Sequence, residues 1–158
     1  MNWGSWLLWG FVATLVLTIL SAGAQGAGLT RISFPQILGT AFTADRDKAK
    51  LFGFAAHIFL GLVYSLLYVL IFQALGNAGW WRGAIIGLIH GFFVLLVVMK
   101  LLPGLHPRMA SEQYGPTAHR LLEPPGFMAL HYGVQTPVAM ILSHMAYGVV
   151  LGAFYRIR

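Results

Sequence analysis

Four apolar runs dominate this chain, and each is long enough to cross the hydrocarbon core of a bilayer, which takes about 20 helical residues. They extend from Trp6 to Ala24, Leu51 to Leu75, Gly83 to Leu102 and Gln135 to Tyr155. Hydrocarbon offers a backbone N–H or C=O no partner, so runs of this length must satisfy their own hydrogen bonds as helices. Composition leaves little room for another solution: 58% of the 158 residues are hydrophobic and 9% are charged, where a soluble domain carries about 25% charged residues. The expected fold is an all-α integral membrane protein, a single domain over residues 1–158 with four transmembrane helices forming two helical hairpins.

Punctuation between the runs supports these boundaries. Asp45, Arg46, Asp47, Lys48 and Lys50 precede the second run, and Gly76-Asn77 closes it with a turn signal. Trp80, Trp81 and Arg82 suit an interfacial belt before the third run, which is expected to stop at Pro103-Gly104. Pro137 falls in the first turn of the fourth, where a missing N–H is harmless. Ala22-Gly23-Ala24 resembles a signal-peptide cleavage site, but no basic segment precedes that run, so a retained helix is expected. The chain has no cysteine, which excludes disulfides and thiolate chemistry.

Basic residues fall unevenly about the four runs. Seven (Arg31, Arg46, Lys48, Lys50, Lys100, Arg108 and Arg120) lie in or beside the loops after runs one and three, against three (Arg82, Arg156 and Arg158) on the other side. The positive-inside bias then puts those two loops in the cytoplasm and both termini outside. The formal charge of +6 is accounted for by this topology and by attraction to anionic lipid. No phosphate-cradling or nucleic-acid motif accompanies it, so no nucleic-acid partner is expected.

Runs two and four share a weak repeat: His57, Gly61, Val63 and Tyr68 recur at the offsets of His144, Gly148, Val150 and Tyr155. Duplication of a hairpin about an axis along the membrane normal is one reading, and chance likeness between two apolar helices is the other. Glycines flank His57, His90 and His144 at helical spacing, which turns all three toward neighbouring helices. At about 1.5 Å per residue they lie roughly 10, 15 and 14 Å from the cytoplasmic boundary, within one polar layer.

That layer admits three chemistries. Imidazoles can ligate a metal or haem iron, and His57, His90 and His144 are the candidate metal ligands. They can instead donate interhelical hydrogen bonds to carbonyls or to Thr14, Thr18, Ser65 or Ser143, or they can handle protons or a substrate. The segment from Pro103 to Gly133 adds His106, Arg108, Glu112, His119, Arg120, Glu123 and His131, with His106, Arg108 and His131 as further ligand-binding candidates. Loops this long are uncommon unless functional or disordered, although interfacial loops are ordinarily rich in such groups. His106 with Met109, Met128 with His131 and His144 with Met145 could supply soft copper ligands, but Met is also a routine core residue. Ser33 to Phe42 and the apolar stretch after Pro125 are expected to form short interfacial or re-entrant helices.

The general hydropathy pattern resembles small four-span proteins of bacterial inner membranes, which implies that location and assigns no residue a role. The functional expectation is a polar, histidine-containing site in the bundle that binds a small ligand, ion, metal or haem. The alternative is a non-catalytic structural or accessory subunit whose small-residue faces pack against other membrane proteins or a second copy. Neither loop carries a catalytic signature that would make the chain an enzyme of a known kind.

Overall fold

A computed structural model describes residues 1–111 and 113–157; Glu112 and Arg158 lie outside the described residues. Four long helices carry the fold: α1 (Trp3–Gly26), α3 (Arg46–Ala74), the continuous rod Trp80–Leu105 and α6 (Thr136–Phe154). All four are long and apolar enough to cross a membrane, so the chain is a multi-pass helical membrane protein. The rod comprises α4 (Trp80–Phe93), one π-helical turn (Val94–Val98) and α5 (Met99–Leu105). A short helix α2 (Phe34–Phe42) lies between the first two spans, and a 3-10 turn (Phe127–Tyr132) precedes the last.

Two boundaries differ from the hydropathy reading. Helix α3 starts at Arg46, before the apolar run, because the Asp45 carboxylate caps it by accepting from the Asp47 and Lys48 N–H groups at 3.0 and 3.1 Å. Its 29 residues exceed what the hydrocarbon needs, which lets the charged first turn stand at the interface. Pro103 does not end the third span, which continues to Leu105. Proline removes one N–H there, and the helix stops within two residues, so the loss is confined to the final turn.

Side-by-side packing follows the order α3, α1, α6, α4, with α6 against both α1 and α4 and α2 lying on α3. The close approaches are made at glycines. A Cβ on Gly83 would meet the Gly148 backbone, one on Gly87 would meet His144 and Met145, and one on Gly152 would meet Gly79. Gly61 accepts Thr14 of α1, while Gly39 and Gly53 bring α2 onto α3. Gly61 and Gly148, expected at helix contacts from their spacing to the histidines, are both there. By contrast α3 and α4, though consecutive, share almost no backbone contact.

The loops after the first and third spans clasp each other at one end of the bundle. The Arg108 guanidinium donates to the Thr40 and Ala41 carbonyls at 2.6 and 3.3 Å, neutralising the open C-terminal end of α2. Arg31 pairs with Glu123 at 3.1 Å and also donates to the His131 carbonyl. The 3-10 turn is interrupted where Met128 and Ala129 take left-handed φ values of 51° and 59°. Such residues cost about 1–2 kcal/mol each. Burial of Ala129 against Met99, Met109 and Met140 in the core of this end holds the segment in place.

Candidate intramembrane binding site

Three spans each contribute one imidazole to a single cavity of about 270 Å³. On α3, His57, Gly61, Tyr64 and Tyr68 follow at intervals of four, three and four residues, which places them on one helical face. The third span supplies His90, Val94 and Val98, and α6 supplies His144 and Tyr147. Phe34 and Ile37 of α2 close the loop-side end, and Thr14 and Leu17 of α1 form the back wall. The cavity reaches the outer surface of α3 at Leu60, a lining residue that is itself exposed.

The π turn forms part of this wall. Val94 and Val98 both line the cavity, and the Met99 N–H is bonded to the Val94 carbonyl five residues back. Single π turns inside α-helices are frequent at functional sites.

Hydrogen bonds set the chemistry each ring can offer. His144 Nδ1 lies 2.7 Å from the Met140 carbonyl of its own helix. A carbonyl only accepts, so Nδ1 carries the proton and, in the neutral ring, Nε2 is an acceptor. His90 Nδ1 bonds the Tyr68 hydroxyl at 3.1 Å, joining α4 to α3. The His90 ring also stands edge-on to His144, with centroids 4.8 Å apart and planes at 80°, and lies 4.3 Å from Tyr64. His90 Nε2 is the one fully enclosed side-chain nitrogen or oxygen without a hydrogen-bond partner among the described residues. His57 touches the Phe34 ring edge at 5.9 Å and also borders a smaller, more polar pocket of about 60 Å³ lined by Thr18, Ser21, Gln25 and Ser33.

The expected hydroxyl partners are engaged elsewhere. Thr14, Thr18, Ser65 and Ser143 each donate to a carbonyl three or four residues back in their own helix, at 2.7, 2.7, 2.7 and 2.8 Å. Tyr68 takes that role by bonding His90, while the Tyr147 hydroxyl links α6 to α3 by donating to the Gly61 carbonyl. From the sequence Tyr68 has only its place in the repeat and Tyr64 and Tyr147 have no expected role, although Tyr64 and Tyr68 continue the face of His57 at helical spacing and Tyr147 is three residues beyond His144.

His57, His90 and His144 share the cavity, yet among the described residues no three His, Asp or Glu side chains form a group spaced to hold a metal ion. His106, Arg108 and His131 lie apart from it, in the loop clasp. His106 Nε2 donates to the Ile37 carbonyl at 2.8 Å, and its Nδ1 accepts from the Arg108 N–H at 3.1 Å. Burial, followed by the neighbouring Arg108 charge, holds the His106 pKa below the ordinary imidazole value, against an opposing effect from its bond to Ile37. His131 Nδ1 donates to the Pro124 carbonyl at 2.9 Å on an exposed surface. Burial, with the nearby Glu123 charge, pushes the Tyr132 phenol up to about 12 against an opposing effect from Arg31.

The chain matches no protein-family model, no curated protein and no solved structure.

Proposed function

We propose that this protein binds a small lipid-soluble molecule inside the membrane, in the cavity lined by His57, His90 and His144. The observation that carries this reading is the convergence of three imidazoles, one from each of three spans, on an otherwise apolar space of about 270 Å³. Polar groups inside a membrane are costly and are commonly retained for a site. A largely apolar pocket with a few placed polar groups is the usual form of a small-molecule site. A metal ion held by all three imidazoles has less support, because the rings do not form a ligand set and His90 Nδ1 is committed to Tyr68. The accessory-subunit alternative has less as well, since Gly61, Gly83, Gly87 and Gly148 pack against the chain's own helices.

In this reading α1 with α3 and α4 with α6 are the two hairpins, and α2 and the Phe127–Tyr132 turn lie at the interface. The clasped loops face the cytoplasm of a bacterial cell and both termini face outward, in accord with the basic residues of those loops. The test uses naphthalene as probe, with the full chain in lipid nanodiscs and with empty nanodiscs correcting for partition. Saturable binding that Leu60→Trp abolishes is expected, because Leu60 lines the cavity near its rim. Binding that never exceeds partition would remove the proposal.

A further inference from the structure

We infer that the ligand is an uncharged, ring-bearing hydroxyl compound dissolved in the bilayer, of the phenol or hydroquinone class, held by donation of its O–H to His144 Nε2. The inference rests on the binding reading above and deepens it. The direction of the bond comes from the His144 ring itself. Met140 accepts from Nδ1 at 2.7 Å, so the neutral imidazole presents a lone pair at Nε2, which has no partner among the described residues. A hydroxyl satisfies that acceptor. A quinone carbonyl, an ether or a hydrocarbon has no proton to donate and leaves it unsatisfied.

Charge and shape narrow the class further. Among the described residues no Lys, Arg, Asp or Glu lines the cavity, so an ionic ligand would lose its hydration without a counter-charge. The rings of Phe34, Tyr64 and Tyr147 stand among the aliphatic side chains of the lining. These suit a flat ring, which stacks or meets them edge-on. A dry apolar cavity of about 150 Å³ holds benzene, so the 270 Å³ here accommodates a two-ring compound. Leu60, at mid-span on α3, both lines the cavity and is exposed on the outer surface that acyl chains cover, which suits a compound that enters from lipid.

The experiment compares 1-naphthol, 1-methoxynaphthalene and naphthalene, all bound to the full chain in nanodiscs and corrected for partition. An acceptor left unpaired by the ether costs enough that 1-naphthol should bind about tenfold or more tightly. His144→Phe keeps an aromatic ring and removes the acceptor, so it should abolish this preference while naphthalene still binds. The ¹⁵N resonance of His144 Nε2 should move with 1-naphthol and stay with naphthalene, a wild-type readout that stands even if the variant fails to fold. Equal affinity of the three probes, with saturation, would overturn the hydroxyl assignment and leave cavity binding intact. A preference retained in folded His144→Phe would overturn His144 as the acceptor. Absence of saturable binding by any probe would overturn both this inference and the reading beneath it.

Discussion

Replacing Gly148 by Ala should loosen the bundle at the seam between α4 and α6. A Cβ at Gly83 would fall 2.6 Å from the Gly148 carbonyl carbon, and a Cβ at Gly148 would fall 2.7 Å from the Gly83 carbonyl carbon, with the oxygens closer still. Carbon atoms rest about 3.5–4.0 Å apart, so the two helices must separate by about 1 Å. A gap of that size forfeits roughly a quarter to a half of the dispersion energy for each contact it opens. Because both atoms in the collision are backbone, no rotamer change relieves it. Alanine recovers up to about 1 kcal/mol of helix propensity in a soluble host, which offsets part of an overpacking cost of about 1–3 kcal/mol. A net loss of about 1–2 kcal/mol is expected, read as a lower unfolding midpoint in a detergent titration. Gly23→Ala is the control, since nothing lies within 4 Å of its Cβ and only the propensity gain remains. The decisive measurement is the Gly83→Ala, Gly148→Ala double variant. Either substitution alone already parts the helices, so the second should add little and the pair should be coupled by about 0.5–3 kcal/mol. Strictly additive losses, or a Gly148→Ala protein as stable as Gly23→Ala, would refute the assignment of this seam.

Two further predictions concern the clasped loops. The lowered His106 pKa means that the folded state binds this proton less readily than the unfolded chain, so its contribution to stability is present above the ordinary imidazole pKa of about 6.5 and is lost as pH falls through the folded value. Protonation at Nδ1 removes the acceptor for the Arg108 N–H, so His106→Gln should flatten the acid side of the stability profile, and an unchanged acid side would refute the role. For sidedness, Thr117→Cys and Asn77→Cys can be compared in a chain that has no cysteine: an impermeant thiol reagent should label intact cells at 77 and not at 117, and the reverse pattern would invert the proposed orientation.

Hydropathy is a local property, which is why the four spans were legible in the sequence to within a few residues at each end. Depth along a helix is local too, so His57, His90 and His144 could be placed in one layer before any contact was known. Small-residue spacing marked Gly61 and Gly148 as contact positions for the same reason. What the sequence left open was the rotation of each helix about its axis and its choice of neighbour. Those are decided between chain segments far apart, chiefly by the backbone approach of Gly83 to Gly148 and of Gly61 to Thr14. Only that packing leaves α3 and α4 with almost no backbone contact, sets Tyr68 rather than a serine or threonine against His90, and gathers three imidazoles on one cavity. The same holds for the loops, where His106 and Arg108 read as site candidates in the sequence and serve the end of α2 in the fold. Helix ends carry unsatisfied carbonyls whose nearest donor is known only once the chain has folded back on itself.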